Sequence, residues 1–253
     1  MNNLDTAIDT FWHSRNVGGA PHEWRGNLTG DEGFRIQIAI QGRYDAIGDR
    51  RIGWKVAATN PAVQRQLGVS EPAFGSLRMS KRYLSGDDVA LASLAQPHIE
   101  CELCFELNEK IARAETQADV LDSVDRCFPA FELIEKRVPI ADFGAAMADN
   151  AEHTAIVLGA PISDLSKLAL DGVECQLTVN DEVMGVALSS AVLENPLNSV
   201  LWLKRRLERY GQTLPAGTLV MTGSFLRQQP FNVGDRFRAD FEGVGRVEVT
   251  GVA

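Results

Sequence analysis

Residues 96–107 alternate with period two. Ile99, Cys101, Leu103, Phe105 and Leu107 fall on one side, and His98, Glu100, Glu102, Cys104 and Glu106 on the other. That pattern predicts a β-strand with one apolar and one acidic face. Carboxylates two positions apart on such a strand project together, about 6–7 Å from each other. The pair either sits on a solvated face or shares one hard cation with oxygen ligands.

The first fifty residues carry a helical period instead. Residues 5–14 predict a short amphipathic helix with Ile8, Phe11 and Trp12 inward. Thr29 and Glu32 have capping-box spacing and open a helix over 30–47, with Phe34, Ile38, Ile40 and Tyr44 on its inner side. Further helices are predicted over 60–67 with Pro61 first, over 119–127 stopped near Pro129, and from Pro196 to a Gly211 stop. Strands are predicted over 51–58, 130–138, 155–158 and 217–221. A hairpin is predicted over 172–188 across Asn180 to Glu182, and a C-terminal pair over 235–241 and 246–250. A helical start followed by many short strands predicts an α+β chain. Its core is an irregular mixed β-roll or barrel over 51–253 with peripheral helices. Residues 1–50 form an N-terminal helical region, and the whole is expected to be one structural unit.

Length and charge narrow the function. With 253 residues, 45% of them hydrophobic, the chain can bury a sizeable core without disulfides. A net charge of −9 argues against nucleic acid and against an anionic membrane surface as partners. It leaves room for an anionic substrate, because a bound divalent cation reverses the local field. The start, Met1 to Asp5, lacks the features of a secretory signal, and no apolar run reaches the ~18 residues of a membrane span. Cys101 and Cys104 form a CxxC with no second ligand pair. On the strand described above they point to opposite faces, so with Cys127 and Cys175 they read as small buried apolar residues in a cytoplasmic protein. Gly30 to Gly33 and Gly243 to Gly245 match no nucleotide-binding loop, no HExxH occurs, and Ser189-Ser190 lies in no nucleophile elbow. Lys55 stands within an apolar run, where it either snorkels outward or serves chemistry.

Residues 53–56, 62–75, 96–102, 129–134, 148–151, 195–198, 221–224 and 233–241 resemble, in order and with similar gaps, the 2-keto-4-pentenoate hydratase family. That family includes 2-oxohept-3-enedioate hydratases and 4-oxalocrotonate decarboxylases, and lies within the fumarylacetoacetate hydrolase superfamily. The resemblance implies a β-roll fold, usually oligomeric, and a site in which Glu100, Glu102 and Glu132 hold Mg²⁺ or Mn²⁺. It implies small 2-oxo or 2-hydroxy acids as substrates, chelated through the carboxylate and the 2-oxygen. Lys55 matches a lysine near the substrate, and between an apolar wall and a cation its pKa is expected to fall. Asp149, Thr222 and Ser224 lie in matching segments and are candidates for binding substrate.

Three departures bear on the reaction. Ser80 stands where the family commonly has an acid, Glu152 and His153 where it keeps small residues, and Glu194 where it has a glycine. Loss of the acid at Ser80 removes a possible proton-transfer carboxylate. Glu152 or His153 can supply one, although His153 also reads as an ordinary core or surface histidine. The expected protein is a cytoplasmic, homo-oligomeric, metal-dependent hydratase of 2-hydroxy-2,4-dienoates from aromatic catabolism, with Lys55, Ser80, Glu152 and His153 as candidate catalytic residues. The alternatives are a 4-oxalocrotonate-type decarboxylase, an acylpyruvate C–C hydrolase, and a catalytically weak binding or partner subunit.

Overall fold

The computed structural model describes residues 3–139 and 142–253. In chain order the strands are β1 (Arg51–Ala57), β2 (Ala73–Arg78), β3 (Arg82–Leu84), β4 (Asp88–Ala90), β5 (Pro97–Leu107), β6 (Val124–Glu135), β7 (His153–Leu158), β8 (Glu174–Val179), β9 (Glu182–Leu188), β10 (Leu219–Met221), β11 (Gln229–Pro230), β12 (Arg236–Phe241) and β13 (Gly245–Val252). They build a mixed sheet ordered β2-β1-β10-β5-β6-β7-β3, with β11 paired to β5, and a second sheet ordered β4-β13-β12-β8-β9. The helices are α1 (Asn3–Val17), α2 (Gly30–Ala46), α3 (Pro61–Leu67), α4 (Gln117–Asp122), α5 (Phe143–Ala148) and α6 (Pro196–Glu208). This is the α+β architecture expected from the pattern, a curled sheet with peripheral helices.

The capping box at Thr29 and Glu32 is formed in both directions. The hairpin turns at Asn180 and Asp181 with φ of 50° and 69°, the left-handed pair that matches strand twist. The apolar face of β5 enters the main core, as do Phe237, Ala239 and Phe241 of β12. Phe131 of β6 meets Phe237 edge-on at 6.3 Å and joins the two sheets. The same apolar cluster continues into Ala7 and Phe11 of α1 and Phe34 and Ile36 of α2.

Two expectations change, and two are resolved. The helix over 119–127 is only α4, which ends at Asp122. From Val124 the chain is strand β6, and it passes straight through Pro129. The Pro129 carbonyl accepts from Gly159, so the missing N–H faces the end of β7 rather than β5, and the strand tolerates the proline. On α2, Ile36 and Gln37 are buried while Ile38 is only half-buried. The acidic face of β5 is not solvated: Glu102 has no exposed surface. On α1 the predicted inner face holds: Phe11 is fully covered within the chain and Trp12 packs on Tyr44 at 4.6 Å.

Candidate active site

β5 and β6 pair antiparallel with Glu100 opposite Glu132, which puts Glu100, Glu102 and Glu132 on one sheet face. One carboxylate oxygen from each lies within 4.8 Å of the others. The same face carries a smaller apolar cluster of Leu77, Cys104, Phe128, Ala130, Ile156, Leu158, Leu219 and Met221. Glu106 shares the strand face but pairs with Arg126, outside the triad.

Lys55 is the cation nearest this acidic group. It is buried, with Nζ 3.1 Å from Glu132 Oε1 and donating to the Ala151 carbonyl at 2.6 Å. The snorkelling alternative is therefore excluded. His153 Nδ1 lies 2.8 Å from the same Glu132 oxygen. A register shift between Leu133 and Ile134 makes this contact possible: without it Thr154, not His153, would lie opposite Ile134. Glu102 Oε2 accepts from the Gly223 N–H at 2.8 Å. Gly223 has φ +113°, and a Cβ there would come within 2.6 Å of Thr59. No other residue presents its amide so cheaply.

The carbonyl that holds Lys55 belongs to a strained turn. Asn150, Ala151 and Glu152 have φ of 62°, 51° and 65° in succession. Each costs roughly 1–2 kcal/mol for a residue with a side chain. Asn150 offsets this by binding β2: its Oδ1 accepts from the Ser76 N–H and O–H, and its Nδ2 donates to the Ser76 carbonyl.

The electrostatics are those of a cation site. Burial, then the charge of Glu132, pushes the Glu100 carboxyl up to about 8. Burial, then Glu132 and Glu100, raises Glu102 well above its ordinary value. Burial alone would raise Glu132 too, but Lys55 and His153 hold it below the usual range. Without a cation on the triad, Lys55 shifts the opposite way from the fall expected beside one. Burial alone would lower its pKa, yet the charges of Glu132, Glu100 and Glu102 outweigh burial and raise it. Burial lowers the His153 pKa, against the pull of the Glu132 carboxylate. Glu102 Oε1 and Glu132 Oε2 are buried without a hydrogen-bond partner, and such orphaned oxygens are costly unless a cation takes them. An all-oxygen set with two vacant lone-pair directions fits a hard divalent cation.

Beside this centre is a cavity of about 510 Å³. None of the three carboxylates lines it directly; His153 and Glu152 do, and His153 touches Glu132. Burial raises the Glu152 carboxyl. The other candidates are placed differently from expectation. Ser80 is exposed and bound through its N–H and O–H to Asp49, so it joins no bond of the triad. Asp149 is buried in ion pairs with Arg137 and Arg15 and positions those arginines rather than offering itself to an acid. The Thr222 hydroxyl donates to the Leu103 carbonyl and that of Ser224 to the Leu226 carbonyl. From that turn the group reaching the triad is the Gly223 amide. Sequence reasoning missed Gly223 and Asn150, although both stand in matched segments. It also missed the Ala151 carbonyl, which any residue type could supply.

The fumarylacetoacetate hydrolase C-terminal model matches residues 55–251. The chain belongs to that family. A 2-keto-4-pentenoate hydratase from Burkholderia vietnamiensis is 35% identical over 206 residues, 80% of this chain and 79% of that protein. A 2-hydroxyhexa-2,4-dienoate hydratase from Comamonas testosteroni is 32% identical over 230 residues, 88% of this chain and 86% of that protein. Among solved structures, 4-oxalocrotonate decarboxylase from Pseudomonas putida, complexed with magnesium and adipate, superposes with a TM-score of 0.92 at 26% identity, covering 100% of this chain and 99% of that one. A second structure of that decarboxylase contains calcium and acetate and gives a TM-score of 0.91.

Proposed function

We propose that this family member is a Mg²⁺-dependent hydratase that adds one water to a 2-hydroxy-2,4-dienoate to give a 4-hydroxy-2-oxo acid. The observation that carries the reading is the triad of Glu100, Glu102 and Glu132, with two orphaned oxygens, against a buried lysine. The hydratase relatives support the same choice. A divalent cation held by the triad supplies Lewis-acid polarisation at the carboxylate and 2-oxygen end of the substrate. The remaining work falls to the chain. His153 fixes Glu132, as a second-layer hydrogen bond orients a ligand. Lys55 has one N–H left after Ala151 and Glu132 and can orient the substrate's oxygen end or exchange a proton there. Hydration also needs protons delivered to carbon. Glu152, half-buried on the cavity wall with a raised pKa, is placed to hold one, in the role that Ser80 cannot fill.

Decarboxylation of a 4-oxalocrotonate-type diacid is the second reading, favoured by the likeness to the P. putida decarboxylase along the whole chain. Self-association remains part of the proposal, now resting on Val183, Met184, Val186 and Leu188, exposed on the edge strand β9. So does a cytoplasmic location, which the four free cysteines suit. Among the described residues no helix is long and apolar enough to cross a membrane. The deciding experiment follows dienoate absorbance and CO₂ together, with Mg²⁺ or EDTA, on substrates with and without a second carboxylate. Metal-dependent loss of absorbance without CO₂ is expected. Stoichiometric CO₂ would select the decarboxylase, and no turnover of any dienoate would refute both.

A further inference from the structure

Among the described residues the cavity wall holds five cations, Arg15, Arg78, Lys81, Lys136 and Arg137, against three carboxylates, Glu135, Asp149 and Glu152. In a chain of net charge −9 that local excess is unusual. Most of these cations are already engaged. Asp149 takes Arg137 and Arg15. Arg78 pairs with Asp49 at 3.0 Å and stacks over Tyr44. Lys136 meets the His98 ring at 3.1 Å. Glu135 makes no ion pair with any of them, although Arg137 feels its charge; its oxygens accept from the Ala95 N–H and the Thr154 hydroxyl. Lys81, half-buried on the Met79–Lys81 turn, has no partner among the described residues.

The metal centre and the cavity are neighbours through His153. A substrate chelated at its 2-oxo-acid end would have this wall within reach of its tail on the His153 side. A monoacid brings its only charge to the metal and leaves the Lys81 ammonium unmatched. A second carboxylate at the far end would match it with a charge-assisted bond. We infer that the substrate is a dicarboxylic dienoate and that Lys81 is the specificity residue for its distal carboxylate. This inference rests on the metal-dependent reading of the site and adds the substrate's second charge to it.

The test uses two saturated analogues that cannot be hydrated, 2-oxoadipate and 2-oxohexanoate, which differ only in the distal carboxylate. Calorimetry in Mg²⁺ should show the diacid bound more tightly by wild type. In Lys81→Met the diacid-to-monoacid affinity ratio should fall about 10- to 100-fold, the scale of one hydrogen bond to a charged group. Lys81→Arg should restore part of it. Equal affinity for both analogues in wild type, or an unchanged ratio in Lys81→Met, would overturn the inference. Turnover separates it from the hydratase reading. If dienoates are hydrated but the ratio ignores Lys81, only the inference fails. If no dienoate reacts while the ratio depends on Lys81, the hydratase reading and the dienoate fail together, and Lys81 stands as the residue that reads a distal carboxylate.

Discussion

Replacing Lys55 by methionine removes an ammonium and keeps most of its stem. In the metal-free protein the loss leaves the buried Glu132 carboxylate without its ion-pair partner, with only His153 on Oε1. It also leaves the buried Ala151 carbonyl without its donor. Breaking a buried ion pair in this way costs about 3–5 kcal/mol. With a divalent cation on the triad, the Glu132 charge is compensated from the other side. What remains is chiefly the orphaned carbonyl, about 1–3 kcal/mol. Saturating Mg²⁺ should thus reduce the penalty of Lys55→Met by about 2 kcal/mol. By linkage, the same difference means that Mg²⁺ binds the variant about 30-fold more tightly than wild type. Turnover should nonetheless fall by roughly 10²–10⁴-fold, the scale of a lost acid/base. Urea melts of both proteins in EDTA and in Mg²⁺, with calorimetric Mg²⁺ titration and steady-state rates, read all three effects. Equal destabilisation with and without metal would show that charge compensation is not what holds Lys55. Wild-type turnover in the variant would remove it from the chemistry.

Stability should depend on pH differently with and without metal. In EDTA, Glu100 titrates at about 8 when folded against an ordinary value of 4.5, so the folded state holds its proton more tightly. Stability contributed by this group is then present below about 4.5 and lost as pH rises to about 8, whereas saturating Mg²⁺ should abolish the loss and release protons on binding. Thermal melts across that range that are flat or rising in EDTA would contradict this. Gly223→Ala should weaken Mg²⁺ by about 10- to 100-fold, because its Cβ meets Thr59 and drags the amide from Glu102. Gly86→Ala, at φ +94° in open space, is the control that carries backbone strain alone; equal Mg²⁺ affinity in the two variants would sink the idea.

Much of this was legible in the sequence because it depends on local periodicity. The period of two in 96–107 placed Glu100 and Glu102 on one face, and the capping box placed the start of α2. Both are backbone geometry, and no tertiary contact is needed to read them. The third acid, Glu132, was reachable only through family resemblance, since 130–138 shows no clean alternation. The structure gives the reason: β6 is buried on both faces, against the main core and against the carboxylate side, so polarity cannot mark its faces. For the same reason Pro129 read as a helix stop when it lies inside β6, facing the end of the neighbouring β7. In the metal-free protein the direction of the Lys55 shift belongs to the fold as well. Sequence supplies an apolar neighbourhood, which lowers a lysine's pKa, but only packing sets three carboxylates around the ammonium. Ser80 and Asp149 kept their residue types and lost their expected roles because Asp49, Arg15 and Arg137, distant along the chain or on other elements, reached them first. Pairings of that kind are decided by where chains cross, and no spacing along the sequence encodes them.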